Sequence, residues 1–391
     1  MTPGRGGRVS RATDTAMRGE DPAGPPPAAD GQRVLRLALL GDGESPHLLK
    51  WARALTQQPG MELWAASSRG FLPGFEPLLD PARRLALGSR PAAGGGNAAV
   101  LRHLPRLARW LRQVQPDWVH AHYLTSHGTL AWLARDLLGA PGRLVGSAWG
   151  SDILVTPERG WLWRRLTRQV LRRCTLTTSD SRVMAERMRG LGAAEVMVFP
   201  FGLESMPPPP HAKDPDLCFA NRGLEALYAP SRVLEVFSAI VAARPEARLV
   251  VANDGSLRAA MQSQAESMGL APRVRFVGRL DADAQAAWYQ RATWYLSLPS
   301  SDSVAVSVLE AMAHGMLPLL SDLPANRELV RDGVNGLLVG AHQRPDPQAL
   351  HALARRAPAI GEENRAWVAS QALFGPAVQR FVGRLRDLSL A

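Results

Sequence analysis

Glu310 stands among Val306, Val308, Leu309, Ala311, Met312 and Ala313. A carboxylate in such a run is costly unless it has partners, so it is either a helix-surface glutamate or the holder of a polar ligand. The helix it belongs to opens near Ser307, and the first N–H groups of a helix favour an anion. That field is worth about 0.3–1 kcal/mol when exposed and up to about 2 kcal/mol when partly buried. Alone it is too weak to hold a multiply charged anion, so a cation is required as well. Arg222, in Phe219-Ala220-Asn221-Arg222-Gly223-Leu224, offers a planar fork suited to phosphate oxygens. The competing role for Arg222 is a surface ion pair. Arg279, in Gly278-Arg279-Leu280 after the strand Val274 to Val277, is a further candidate. His122 ends a strand at the sheet edge where α/β sites form, and His120 shares its face. Each could instead be a core histidine, and with no third ligand neither reads as a metal site. Asp152, after Gly150-Ser151, is either a site carboxylate or base, or a helix N-cap. His47 lies in the first loop, where a cleft could open. Gly255, in the turn Asp254-Gly255-Ser256, is expected to adopt a conformation that other residues resist.

Alternating strands and helices must position these groups. Val34 to Leu40 is a short apolar run ended by Gly41-Asp42-Gly43, which predicts a buried parallel strand and a turn. A helix carrying Leu48, Leu49, Ala52 and Leu55 follows, then a strand from Met61 to Ala66. One long helix is expected over Ala98 to Val114, then the strand ending at His122, a helix over Leu130 to Leu138, and the strand Arg143 to Ala148. The pattern restarts after Pro207 to Pro210, the best linker candidate. Helices are expected at Ser231–Ala243, Leu257–Met268, Ala284–Arg291 and from Ser307 to His314. Strands are expected at Ala247–Ala252, Val274–Val277, Trp294–Leu298, Leu317–Ser321 and Gly336–Val339. Helical segments covering Arg365–Leu373 and Pro376–Leu388 close the chain. This is an α/β pattern of two Rossmann-like, doubly wound parallel-sheet domains facing across a cleft. The expected division is residues 1–33 as a disordered tail, 34–205 and 206–373 as domains, and a helix at about 374–391 packing back on the first.

The chain has 391 residues and a net charge of +11. Its length suits two domains, and its 46% hydrophobic and 21% charged residues read as globular. No apolar run approaches the roughly 20 residues of a spanning helix. Cys174 and Cys218 form no ligand cluster, which argues against a zinc module or disulfide scaffold and fits a cytoplasmic protein. Residues 34–205 hold 22 basic and 13 acidic side chains, so this half is the one expected to face an anion. The segment from Trp161 to Arg173 reads as a basic amphipathic helix suited to an anionic membrane surface, with Arg109, Trp110 and Arg112 as an extension. The alternative is a surface helix with its apolar side packed inward. No nucleic-acid motif accompanies the charge, so nucleic acid is not an expected partner.

The stretch Ser301–Val339 reads SDSVAVSVLEAMAHGMLPLLSDLPANRELVRDGVNGLLV. It resembles the donor-binding segment of glycosyltransferase family 4, in which a carboxylate and a glutamate eight residues later precede AMA-x-G-x-P and then E-x(4)-G-x-N-G. Here Glu310, Ala311-Met312-Ala313, Gly315, Pro318, Glu328, Gly333, Asn335 and Gly336 fill the pattern. The first carboxylate is Asp302 rather than glutamate, followed by Ser303-Val304-Ala305 in place of a glycine-rich turn. The loop at Ser45-Pro46-His47, the segments ending at His122 and Asp152, and Phe199–Glu204 also resemble the family. The resemblance implies the GT-B fold and retaining transfer from a UDP- or GDP-linked sugar, with no bound metal and no cofactor. The acceptor is expected to be a glycan or lipid-linked hydroxyl at the inner membrane face. Alternatives are a non-catalytic scaffold of this fold and a nucleotide-sugar epimerase or hydrolase. By resemblance, Arg222, Asp302, Ser303, Val304, Ser307, Glu310 and Arg279 bind the donor. His122, Asp152 and Arg222 are the candidate catalytic residues, and His47 and Asp152 lie on the acceptor side. The family's lysine five residues after the arginine is Leu227 here, which removes one positive charge.

Overall fold

The computed structural model of the chain describes residues 33–89 and 98–390. Of the tail expected over residues 1–33, residues 1–32 lie outside the described residues, and Arg33 is described and pairs with Asp117. The N-terminal sheet is built from β1 (Leu35–Gly41), β2 (Met61–Ser67), β3 (Arg84–Ala86), β4 (Trp118–His122), β5 (Arg143–Ser147), β6 (Leu176–Ser179) and β7 (Val196–Val198). Its order is β3-β2-β1-β4-β5-β6-β7, with every pair parallel. The second sheet comprises β8 (Asp214–Ala220), β9 (Arg248–Ala252), β10 (Val274–Gly278), β11 (Ala292–Ser297), β12 (Leu317–Ser321) and β13 (Leu337–Val339). Its order is β10-β9-β8-β11-β12-β13, again all parallel.

Both faces of each sheet are covered, which is why the central strands are apolar almost throughout. In β1, Leu35, Leu37 and Leu39 enter one core cluster while Ala38 and Leu40 enter the other. This is the two-residue alternation of a pleated strand. Each sheet reverses its strand order once, between β1 and β4 and between β8 and β11. Crevices open at the carboxyl ends of strands at such switch points, and the loops after these four strands carry most of the residues singled out above.

The last helix, Phe374–Leu390, belongs to the first domain's core. Its Phe374, Ala377, Val378, Phe381, Val382 and Leu385 pack into the cluster around Trp51. The chain therefore crosses between domains twice, and the crossings lie side by side. The Leu203 N–H donates to Ala372 O at 2.9 Å and the Phe374 N–H to Leu203 O at 2.8 Å. The proline run lies just beyond, with its Pro207 carbonyl accepting from Arg365 at 3.1 Å.

Several expectations need correction. The helix over Ala98 to Val114 is two helices, Ala98–Leu101 and Leu104–Val114. Pro105 sits in the first turn of the second, where a residue with no N–H is tolerated and a continuous helix is not. Trp110 is not surface: it is buried against Trp64, and Arg112 bonds to Leu138 O. Gly255 has ordinary backbone angles, and the left-handed residue is Asn253 at φ 79°. Glycine is needed at 255 for space, since a Cβ there would lie 2.4 Å from Leu224 O. Among the described residues one stretch, Ala226–Ala243, is long and apolar enough to cross a membrane by composition. Its helix Pro230–Ala243 buries Val233, Leu234, Val236, Phe237 and Ile240 in the second domain's core, which accounts for its apolarity.

Candidate functional site

A cleft of about 330 Å³ opens between the two sheet edges. The first domain contributes His47, which lies in the first turn of the helix Pro46–Thr56 after β1 rather than in a loop, Tyr123 after β4, Trp149 after β5, Asp180 after β6, and Phe201. From the second domain come Asn221 and Arg222 after β8, Asn253 after β9, Asp302 after β11, and the start of the helix Val306–Ala313, together with Tyr228 and Gln285.

Arg222 is the centre of the donor-side wall. Its Nη2 donates to Asp302 Oδ2 at 2.6 Å and its Nη1 to Ser307 Oγ at 3.2 Å. Its guanidinium lies 4.5 Å from the centroid of the Tyr228 ring. Burial works against the charge, but Asp302 and the surrounding tyrosines outweigh it and hold Arg222 above its ordinary value. Asp302 is pushed up by burial and held back by Arg222 and its bond from the Ser303 N–H. The helix Val306–Ala313 begins at Ala305 with no side-chain cap, and Ala305, Val306 and Ser307 face the cleft. Its first N–H groups thus point where an anion would sit.

Glu310 lies one turn deeper. Tyr289 Oη donates to its Oε2 at 3.0 Å. Burial raises the Glu310 carboxyl, opposed by that bond and by the Lys50 charge. Behind it, Tyr295 Oη donates to Asn221 Oδ1 at 2.7 Å, and Asn221 Nδ2 donates to Tyr289 Oη at 2.7 Å. On the opposite wall the His47 ring lies 4.7 Å from the Trp149 ring, and burial beside Lys50 and Arg222 lowers it to about 4. His47 is therefore neutral near pH 7. Tyr123 holds φ 62°, a strained conformation for a bulky residue, beside the cleft it lines.

The structure brings together Arg222, Asp302, Val304, Ser307, Glu310 and His47. It does not place His122, Asp152, Ser303 or Arg279 on the cleft wall. His122 is 2% exposed and lies behind Trp149, whose Nε1 donates to its Nδ1 at 3.1 Å. Asp152 is buried and spends its carboxylate on backbone: Oδ2 takes the Leu124 N–H and Oδ1 the Trp149 N–H, each at 2.9 Å. It anchors the loop after β5, close to the capping alternative. Ser303 turns its hydroxyl to Ser181 and Asp180 of the other domain. Arg279 is exposed and outside the lining. Sequence reasoning missed Asn221, Tyr289, Tyr295, Trp149 and Asp180. The tyrosines had a signal in their rarity. The chain has four, at 123, 228, 289 and 295, and all serve this cleft.

Two family descriptions match the chain. "Glycosyl transferase 4-like domain" covers residues 60–202 and "Glycosyl transferases group 1" covers residues 204–370. They meet at the Leu203 crossing, and the chain belongs to the family 4 glycosyltransferases of the GT-B fold. D-inositol 3-phosphate glycosyltransferase of Actinosynnema mirum is 28% identical over 263 residues, covering 59% of this chain and 62% of that protein. Phosphatidyl-myo-inositol mannosyltransferase of Mycobacterium leprae is 26% identical over 264 residues, covering 64% and 68%. The matched region thus spans about three fifths to two thirds of these relatives. Anabaena HepE, solved in complex with UDP-glucose, superposes with a TM-score of 0.68 at 15% identity, over 90% of this chain and 99% of that one, and so shares the fold.

Proposed function

We propose that this protein transfers a hexosyl group from a UDP- or GDP-linked sugar to a hydroxyl of a glycan or lipid-linked acceptor, with retention and without a bound metal. The observation that carries the reading is the setting of Arg222. It is fixed between Asp302 and Ser307 at the uncapped start of the helix Val306–Ala313, one turn from Glu310. Arg222 and the helix N–H groups would take the negative charge that grows on the departing diphosphate. Glu310, aimed by Tyr289, would accept from the ribose hydroxyls, and Asp302 from a hydroxyl of the sugar. Diphosphate oxygens would then share Arg222 with Asp302, whose carboxyl is pushed up by burial and held back by the Arg222 charge. The acceptor would lie against His47, Tyr123 and Trp149. Tyr228 stacks on Arg222 next to Leu227, so an aromatic face holds the guanidinium where the family lysine is missing. The named activities of the relatives support a polyol-phosphate or lipid-linked acceptor.

Membrane contact and an inner-face location follow the same reading. On the helix Trp161–Arg173, Trp161 is 73% exposed and Leu162 is 61% exposed, with Arg164, Arg165 and Arg168 exposed beside them. That combination suits an anionic bilayer surface. Flotation with phosphatidylglycerol vesicles at low salt is the check. Binding should be lost on Trp161→Ser with Leu162→Ser, and no binding by the wild type would reject the contact.

Calorimetry of UDP, GDP, ADP and CMP compounds tests the donor site. Selective binding of one base, weakened at least tenfold by Arg222→Ala and by Glu310→Ala, is the expected result. No binding to any of them would reject the enzyme reading and favour the scaffold. Product analysis without acceptor separates transfer from hydrolysis or epimerisation.

A further inference from the structure

Beside the cleft, two stretches of the second domain grip one segment of the first, Asp180–Val183. Glu328 accepts from the Arg182 N–H and the Val183 N–H, both at 3.0 Å. These are the first N–H groups of the helix Arg182–Gly190, whose N-cap Ser181 takes the Met184 N–H at 3.1 Å. A carboxylate of one domain therefore completes the N-terminus of a nine-residue helix of the other, with the sign the helix dipole favours. Next to it, Ser303 Oγ lies 2.8 Å from Ser181 Oγ and donates to Asp180 Oδ1. Asp180 also takes the Val304 N–H.

The segment that Asp180 touches is the one that sets Arg222. The Ser303 N–H donates to Asp302 Oδ1 at 3.0 Å, and Asp302 Oδ2 accepts from Arg222. Residues 298–305 belong to no helix or strand. Their conformation therefore depends on such side-chain and inter-domain bonds, not on a hydrogen-bonded ladder. Separating the domains would leave the Ser303 hydroxyl and the Val304 N–H without these partners, on the residues directly after Asp302. Burial, opposed by the Ser303 bond and reinforced by Asp302, pushes Asp180 up to about 8. It docks as a neutral acid, so asparagine is a faithful replacement.

We propose that Asp180 and Glu328 are positioning residues that couple closure of the two domains to the setting of Arg222, so that donor phosphates are held tightly only when the acceptor-side domain is docked. The inference rests on the donor-site reading above. Its chemical sense is that an activated sugar is exposed to water unless its binding waits for a closed cleft.

Small-angle scattering and UDP and GDP calorimetry on the full chain test it. Glu328→Ala should enlarge the radius of gyration and weaken nucleotide binding about tenfold, the effect of losing one charged hydrogen-bonded contact. Glu328 lies outside the cleft lining, so this loss would have to pass through the domain contact. Asp180→Ala should do the same, Asp180→Asn should restore both readouts, and Asp180→Ala should add nothing to Arg222→Ala. Far-UV circular dichroism and thermal unfolding identify any variant that fails to fold. Unchanged dimensions in Glu328→Ala overturn the proposal, and so does opening without loss of affinity. If the wild type binds neither nucleotide, the donor-site reading fails, while scattering still reports on the latch.

Discussion

The Tyr295–Asn221–Tyr289–Glu310 relay shows how a single carboxylate is aimed. Every link is between 2.7 and 3.0 Å, and Asn221, Tyr289 and Tyr295 are buried. Tyr289→Phe removes the donor to Glu310 and the acceptor for Asn221 together. Leaving buried polar groups unsatisfied costs about 1–3 kcal/mol each. A drop of that order in unfolding free energy is expected from urea titration, with weakened nucleotide binding, and an unchanged midpoint would show that the relay contributes nothing. The two lysines follow a parallel logic in a chain whose other cations are all arginine. Lys213 Nζ donates to Tyr289 O and Ala292 O at 2.8 Å and Gln290 O at 3.4 Å, closing the end of the helix Ala282–Arg291. Lys50 Nζ donates to Phe201 O at 2.6 Å and Gly202 O at 2.8 Å. A compact ammonium with three donors fits clustered carbonyls where a planar fork does not. Glu310 was legible because a charge among apolar neighbours is conspicuous, and Arg222 because its segment Phe219–Leu224 resembles the family's. Asp180 was not, since Leu176-Thr177-Thr178-Ser179 is too short and polar to read as a buried strand.

At the scale of elements, the long apolar strands and their order of alternation were legible, and the connections that turn side chains were not. The six residues Tyr123–Gly128 form a π-helical turn after β4, a feature with no periodicity signal. It brings His127 under the sheet edge, with Nδ1 2.8 Å from His122 O and Nε2 3.0 Å from Ser68 Oγ. His120 lies 2.7 Å from Ser147 Oγ, and His120 Nδ1 and His122 Nε2 have no partner. Burial lowers His120 to about 3, His127 and His47 to about 4, and His122 well below 6.5. A histidine depressed in the folded state stays neutral there while the unfolded chain takes up a proton below about pH 6.5. Folding is thus fully supported above that pH and weakens as pH falls toward 4. At pH 5 the loss is on the order of 2 kcal/mol for each such histidine. Urea midpoints measured from pH 7.5 to 5 should fall steeply, and His127→Gln should make the fall shallower. A flat profile over that range would mean these rings are solvated.

At the scale of the whole molecule, the chain's crossings between the domains lie together at one narrow place. The two crossings at Leu203 and Leu373 pair as parallel extended chain. Gly202 sits so close to the return strand that a Cβ would lie 1.7 Å from Ala372 O. That atom is backbone and cannot swing away, so Gly202→Ala must push the crossings apart and strain the Leu203–Ala372 hydrogen bond. The expected cost is about 1–3 kcal/mol, the usual range for overpacking, with a further loss where nucleotide binding needs the domains closed. Gly383, in the middle of the helix Phe374–Leu390 that carries the chain back to the first domain, is the contrast. Nothing lies within 4 Å of its would-be Cβ and its φ is ordinary. Gly383→Ala should therefore stabilise by up to about 1 kcal/mol through helix propensity alone. Thermal unfolding of the two variants separates crowding at the crossing from a general intolerance of added methyl groups. Two equal losses would refute crowding at the crossing, and opposite signs would tie the cost of Gly202→Ala to the close backbone contact between Gly202 and Ala372.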